Sequence, residues 1–412
     1  MSTDRVVIVG AGQSGGRTAA LLRQEGFEGE IVLIGAEKHA PYERPPLSKA
    51  VLKGDKPAEE CILYAPDFFS EKEIDLRTGV TVQSVDLDGK SVTLDDGSSL
   101  EFGSLVFATG GVVKRLPLPG ADLPGVHVVR TFEDSANLGL SLKPGSRCVV
   151  VGGGFIGLET AATARQIGCD VTVLEGAPRI LGRSVPVEVA DAVARLHDEK
   201  GVKTILNARI TGFEGTDHVT GVKFEDGSVL PADSIVIGIG IAPGVALAEA
   251  AGLPCEDGIL VNEFGATARD GVYATGDCAR GFNPFYGEQI RLESWQNADM
   301  QARAVARSIC GHPEPYAPVP WLWSDQFEWT LQTAGLPSRA DSVIVRGRFE
   351  DGSLVFLCLA DGKLVGVAGF GLVSTIAKEV KVAQLMMERG INPDPAALAD
   401  EAQPLRKLMK GG

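Results

Sequence analysis

The sequence predicts an α/β protein: two parallel-sheet βαβ folds, with a smaller α+β region at the C-terminal end. Three observations predict it. The apolar run 6–9 ends in Gly10-x-Gly12-x-x-Gly15 and leads into a helical pattern. The design returns 142 residues later (Gly10 to Gly152), where the run 147–151 ends in Gly152-x-Gly154-x-x-Gly157 before another helical pattern. Beyond the proline-rich stretch 313–320, short alternating strands give way to helices.

Each element follows in order. Residues 6–9 read as a fully buried strand, 17–25 as a helix and 31–34 as the next strand, a βαβ unit with a parallel sheet. Residues 92–94 and the turn Asp95-Asp96-Gly97 read as a hairpin. The second unit repeats the plan with strand 147–151, helix 158–168, strand 170–174 and a hairpin at 222–227. Past the linker, 343–349, 354–359 and 364–368 read as an antiparallel meander, and 374–388 and 395–409 as helices. The predicted division is a discontinuous first domain over 1–112 and 244–319, an inserted second domain over 113–243, and a C-terminal α+β domain over 320–412.

Composition narrows the function. The 412 residues are long enough to bury several cores without disulfide or metal staples. No apolar run reaches the roughly 20 residues of a membrane helix, and the N-terminal residues lead straight into a glycine loop, so a cytoplasmic protein is expected. A net charge of -15 repels phosphate backbones and anionic membranes, which argues against either as a partner. The seven cysteines form no CxxC or CxxxxC, which removes dithiol and zinc-knuckle chemistry. The five histidines show no metal-like spacing and read as solvated or locally bonded, so no metal is predicted.

The glycine loops carry a mechanism. The first glycine allows a tight turn, the second lets backbone approach a pyrophosphate, and the third lets helix and strand pack closely. The helix N-terminus adds free N–H groups and a positive dipole end. Gly10, Ala11, Gly12, Ser14 and Gly15 are therefore candidates to bind one dinucleotide, with Glu37 and the adjoining Lys38 at its ribose. Gly152, Gly154, Phe155, Ile156 and Gly157 are candidates to bind a second, with Glu175 at the ribose and Gly240 in a later turn. A carboxylate there repels a 2′-phosphate, so NADH is preferred over NADPH, and Arg179 and Arg183 just beyond soften that preference. Two Rossmann-like domains in one chain suggest FAD and NAD together, since hydride passes from nicotinamide to flavin. Ala108-Thr109-Gly110 and Ala274-Thr275-Gly276-Asp277 each close a strand, and Asp277 is placed to hold the ribityl hydroxyls of a flavin.

At Glu43-Arg44-Pro45-Pro46-Leu47-Ser48-Lys49 the pattern becomes narrow. With the two glycine loops, Ala274-Thr275-Gly276-Asp277-Cys278-Ala279, Glu293-Ser294-Trp295-Gln296-Asn297-Ala298 and Trp321-Leu322-Trp323-Ser324-Asp325-Gln326, the chain resembles, end to end, the FAD-dependent ferredoxin reductases of bacterial oxygenase systems. The resemblance implies a glutathione reductase-like FAD/NAD-linked fold. It also implies that Arg44, Pro45 and Lys49 line the flavin and that Val82 and Arg130 touch its adenosine and diphosphate side. It implies further that Asp277 binds the ribityl chain, that the Trp295 backbone and Trp323 border the ring system, with Ser294 and Ala298 also cofactor-binding candidates, and that Glu159 faces Lys49 beside the nicotinamide. Lys49 and Glu159 are the catalytic candidates. Gly244 stands where this family usually has Asn, which predicts a kept turn with one side-chain hydrogen bond fewer.

The resemblance further implies a separate [2Fe–2S] ferredoxin as one-electron acceptor, feeding a cytochrome P450 or Rieske oxygenase. Such ferredoxins are usually acidic, so a local basic patch is required. Its candidates are Arg303, Arg307, Lys378, Lys381, Arg406, Lys407 and Lys410. Other readings of the same fold are a rubredoxin reductase, an NADH oxidase-like flavoprotein, and an NADH-binding redox sensor related to apoptosis-inducing factor.

Overall fold

The computed structural model describes residues 4–409; Lys410 lies outside them. The chain forms two compact units. One comprises residues 1–43, 59–112 and 241–318, the other 44–58, 113–240 and 319–412.

The first unit is built on a five-stranded sheet in the order Val272–Ala274, Ser104–Phe107, Arg5–Val9, Glu30–Gly35, Ile74–Thr78, all parallel. Val7, Val9, Val32 and Ile34 pack on one face, while Val6, Ile8, Ile31 and Leu33 pack on the other. Both faces are covered, which is why these strands read as unbroken apolar runs rather than alternations. Helices Gln13–Gln24 and Trp295–Ile309 cover one side through Ala19, Leu21, Leu22, Ala302 and Val305. The predicted hairpin is present as Ser91–Leu94 and Ser99–Glu101, and its Val92 and Leu94 seal the other face.

The second unit repeats the parallel plan in the order Lys203–Leu206, Asp170–Glu175, Arg147–Val151, Ser234–Ile237, Val126–His127. It also contains a five-stranded antiparallel sheet: Trp321–Gln326, Trp329–Gly335, Lys363–Gly371, Ser353–Ala360, Ser342–Arg348. Helix Val373–Glu388 lies on one face of that sheet through Val380, Ala383 and Met386. Helix Val187–Glu199 lies on the other through Val189, Val193 and Leu196, against Leu331, Phe356 and Phe370.

The structure departs from expectation in several places. Residues 44–58, expected in the first domain, belong to the second unit, where Leu47 and Leu52 bury at 1% and 4% exposure and Ser48 bonds to Glu159 and Thr163. The helix predicted over 395–409 is two short helices, Pro395–Ala399 and Leu405–Leu408. Asp400 is extended between them, Pro404 has no N–H to continue a helix, and the Arg346 guanidinium binds the freed carbonyls of Leu398, Asp400 and Gln403. Both glycine-loop helices begin earlier than expected, at Gln13 and Phe155, because their glycines are inside the first turn. The antiparallel sheet is larger than the expected meander: strands Trp321–Gln326 and Trp329–Gly335 belong to it as well.

Candidate active site

In the first unit the loop after Arg5–Val9 is folded on itself. Gly10 has φ +114°, and a Cβ there would sit 2.1 Å from the Ala108 carbonyl oxygen. A Cβ on Gly15 would sit 1.9 Å from the Gly10 oxygen. Only bare backbone lets the loop, the Ala108-Thr109 turn and the helix meet. The helix Gln13–Gln24 starts at Gly12 with no side-chain cap and no acid in its first turn, so its first N–H groups and dipole are left for an anion. The Gly276-Asp277 turn abuts this helix start. The buried Ser14 and Thr275 hydroxyls are 2.8 Å apart, and Gly276 N–H donates to Gln301 Oε1 at 2.8 Å. The Ser14 hydroxyl thus ties the helix start to Thr275. Asp277 is half-buried beside the loop. Tyr42 donates to Glu37 Oε2 at 2.5 Å, fixing the carboxylate at the end of its strand, while Lys38 next to it is exposed. Gln13 Nε2 donates to the Trp295 carbonyl at 3.3 Å, and the Trp295 indole to Glu43 at 3.0 Å.

Ser294 caps the following helix by accepting from Asn297 N–H, and Ala298 is buried in its first turn. Val82 is 5% exposed and sits in the core, so its side chain serves packing. Gly244 keeps its turn: its N–H donates to Gly110 at 2.8 Å and its carbonyl accepts the Thr109 hydroxyl at 2.5 Å. A Cβ at 244 would lie 3.0 Å from the Thr109 oxygen, so glycine allows this close approach.

The second unit builds its cradle alike. Gly152 has φ +116°, and its Cβ would fall 2.4 Å from the Gly238 oxygen. Gly154 is the opposite case: a Cβ there would meet nothing within 4 Å. The open face of the loop is therefore at the second glycine, as a pyrophosphate requires. Gly240 is equally open. Helix Phe155–Ile167 starts without side-chain cap or first-turn acid. Glu175 accepts from Gly153 N–H at 2.7 Å and Ala177 N–H at 2.8 Å, so its carboxylate is fixed at the strand end with acceptor capacity to spare. Arg179 is spent on the Val185 and Gly182 carbonyls, while Arg183 is exposed.

The same unit holds the catalytic candidates. Lys49 Nζ lies 3.3 Å from Glu159 Oε1 and 2.9 Å from Asp325 Oδ2. It stands 5.7 Å from the centre of the Trp323 ring, which stacks on Trp321. Glu159 is 3% exposed and accepts the Ser48 hydroxyl at 2.6 Å and the Ser324 hydroxyl at 2.7 Å. Burial lifts its carboxyl above the usual range, opposed by the Lys49 ammonium and the two hydroxyls. Arg44 donates to the Arg130 carbonyl at 2.5 Å, so these two candidates are held together. Pro45 begins the 3₁₀ turn Pro45–Ser48.

Ser48, Ser324, Asp325 and Gln326 stand inside the motifs at 43–49 and 321–326, yet the sequence alone assigns them no role. His197, expected to be solvated or locally bonded, is fully buried and bonds Gln326 across 129 positions. None of the seven cysteines, all among the described residues, is joined in a disulfide. Among the described residues no cluster of His, Cys, Asp or Glu could hold a metal, and no helix is long and apolar enough to cross a membrane.

Comparison with known proteins identifies the family. A family model described as pyridine nucleotide-disulphide oxidoreductase matches residues 4–302, and one described as reductase C-terminal matches residues 321–409. Rhodocoxin reductase of Rhodococcus erythropolis is 39% identical over 396 residues, which is 96% of this chain and 92% of that protein. The ferredoxin–NAD(+) reductase component of the anthranilate 1,2-dioxygenase system of Burkholderia cepacia is 38% identical, across 99% of this chain and 100% of its own. Among solved structures, the covalent putidaredoxin reductase–putidaredoxin complex matches with a TM-score of 0.95 and 36% identity, covering 100% of this chain and 99% of that one.

Proposed function

The chain belongs to the pyridine nucleotide-disulphide oxidoreductase family, with a reductase C-terminal domain behind it, and from that premise we propose that it is an FAD-dependent NADH:ferredoxin reductase serving an oxygenase. The observation that carries this reading is the pair of glycine cradles, one per unit, in a chain whose Arg44–Lys49 segment has no cysteine pair. A disulfide reductase would need that pair. The match to reductase components and to a reductase–ferredoxin complex supports a small iron–sulfur protein as acceptor.

Bound FAD supplies a centre that accepts hydride and can release the electrons singly. The residues that would hold it are the Gly10–Gly15 backbone, Glu37, the Thr109-Gly110 turn, Asp277 and the Trp295 backbone. The Gly152–Gly157 backbone would hold the NADH pyrophosphate, and Glu175 its ribose diol. Glu175 also disfavours a 2′-phosphate by charge. Lys49 supplies a positive charge set in place before reaction, where negative charge develops, and Glu159 and Asp325 hold it there. Of the expected docking cations, Arg303 on the first unit and Lys378, Lys381 and Lys407 on the second are exposed, whereas Arg307 is paired with Glu314 and Glu25.

Stopped-flow reduction of the flavin by NADH tests the core of this. Lys49→Met should slow it by about 100-fold, the usual effect of removing one electrostatic group, with FAD content unchanged. An unchanged rate would remove Lys49 from the mechanism. Reduction of a [2Fe–2S] ferredoxin by NADH through the protein tests the acceptor, and no ferredoxin-dependent electron transfer across a panel would overturn the reductase reading.

A further inference from the structure

Glu159 is the end of a longer chain of hydrogen bonds. Its Oε1 accepts the Ser324 hydroxyl at 2.7 Å, Ser324 Oγ accepts Gln326 Nε2 at 3.2 Å, and Gln326 Oε1 lies 2.8 Å from His197 Nε2. Glu159 is 3% exposed and the other three are 0% exposed. They stand on three elements: helix Phe155–Ile167, strand Trp321–Gln326 and helix Val187–Glu199.

Donor chemistry fixes the direction of every link. Glu159 Oε1 also faces the Lys49 ammonium, so it is an acceptor, and Ser324 must donate to it. The Ser324 oxygen then takes an N–H from Gln326, which turns the amide so that its oxygen faces His197. An oxygen needs a donor, so the His197 proton is on Nε2. Burial pushes His197 down to about 4, so the ring is neutral at pH 7 and carries that proton alone. Its Nδ1 has no hydrogen-bond partner among the described residues. A buried polar chain of this kind is costly unless satisfied, and when satisfied it specifies one arrangement.

We propose that His197, Gln326 and Ser324 form a directional relay that fixes the Glu159 carboxylate, and through it the Lys49 ammonium, which makes His197 a positioning residue for the reaction. The proposal rests on the reading that Lys49 serves hydride transfer. In the holoenzyme labelled with ¹⁵N-histidine, the His197 signal, identified by its loss in His197→Gln, should report the neutral Nε2–H tautomer at pH 7. His197→Gln puts an amide N–H where Nε2–H stood and should keep flavin reduction near the wild-type rate. His197→Met fills the space without a donor and should slow reduction about 10-fold, the kinetic equivalent of one lost buried hydrogen bond, with FAD content unchanged. Should that variant fail to fold, Ser324→Ala cuts the same relay by one oxygen and carries the same expectation. An Nδ1–H tautomer, a protonated ring, or His197→Gln as slow as His197→Met overturns the relay. An unchanged rate in Lys49→Met would instead overturn the hydride-transfer reading, and the tautomer result would stand apart from it.

Discussion

At His197 burial has a consequence for stability as well as position. The imidazole is 0% exposed, and burial pushes its pKa from 6.5 down to about 4. Between those values the unfolded chain binds a proton that the folded chain refuses. The stability tied to the neutral ring is therefore fully present above pH 6.5 and is lost as pH falls toward 4, by up to about 3 kcal/mol. Urea midpoints at pH 7.5 and pH 5 should fall further for the wild type than for His197→Gln, which has nothing to titrate there; equal falls would contradict it. His197 also shows where single-residue legibility ends. Lys49 and Glu159 were readable because each sits in a short, chemically odd motif. Their partners were not, because Ser48 meets Glu159 across 111 positions and Ser324 meets it across 165. No local pattern encodes such a meeting; only the packed sheet and helices bring it about.

Strand–loop–helix units were the most legible elements, since a doubly covered strand and a glycine turn leave marks within about 20 residues of one another. The antiparallel sheet was only partly legible. Trp321–Gln326 is half-buried along its tryptophans and carries Ser324 and Gln326 inward, so it lacks the apolar alternation that betrays an ordinary strand. The break at Asp400–Pro404 is faint in the sequence because the helical apolar pattern runs on either side of a single proline. Glycines in one loop make separable predictions. Gly154 has φ -84° and open space at its Cβ. Gly154→Val should fold with full FAD content yet raise the KM for NADH by about 10-fold or more, because the side chain takes the space a pyrophosphate would use. Gly152 has φ +116° and a carbonyl 2.4 Å from its Cβ. Gly152→Val should therefore lower the thermal midpoint itself. Steady-state kinetics beside thermal melts check both, and an unaltered KM in the first variant would place the dinucleotide elsewhere.

For the molecule as a whole, a net charge of -15 opposes any acidic partner, so docking depends on a local cluster of exposed cations. Arg307 is a poor candidate: it pairs with Glu314 at 2.7 Å and with Glu25 at 3.8 Å, which spends its charge within the first unit. Arg303 on the same helix is exposed. On the second unit Lys378 and Lys381 are exposed three positions apart on helix Val373–Glu388, and Lys381 donates to the neutral Gln384 amide. Lys407 is exposed on the last short helix. A charge at the rim of an interface acts mainly on the association rate and on its salt dependence. Lys378→Glu with Lys381→Glu should therefore raise the KM for ferredoxin about 10-fold at low ionic strength, and the gap from wild type should shrink as salt shortens the screening length. Ferricyanide, a small acceptor that needs no docking face, should be reduced at the wild-type rate. Arg303→Glu tests the first unit separately, whereas Arg307→Glu should chiefly cost stability by leaving Glu25 and Glu314 unpaired. Equal loss with ferredoxin and ferricyanide in the lysine variant would show damage to the redox site and refute docking there.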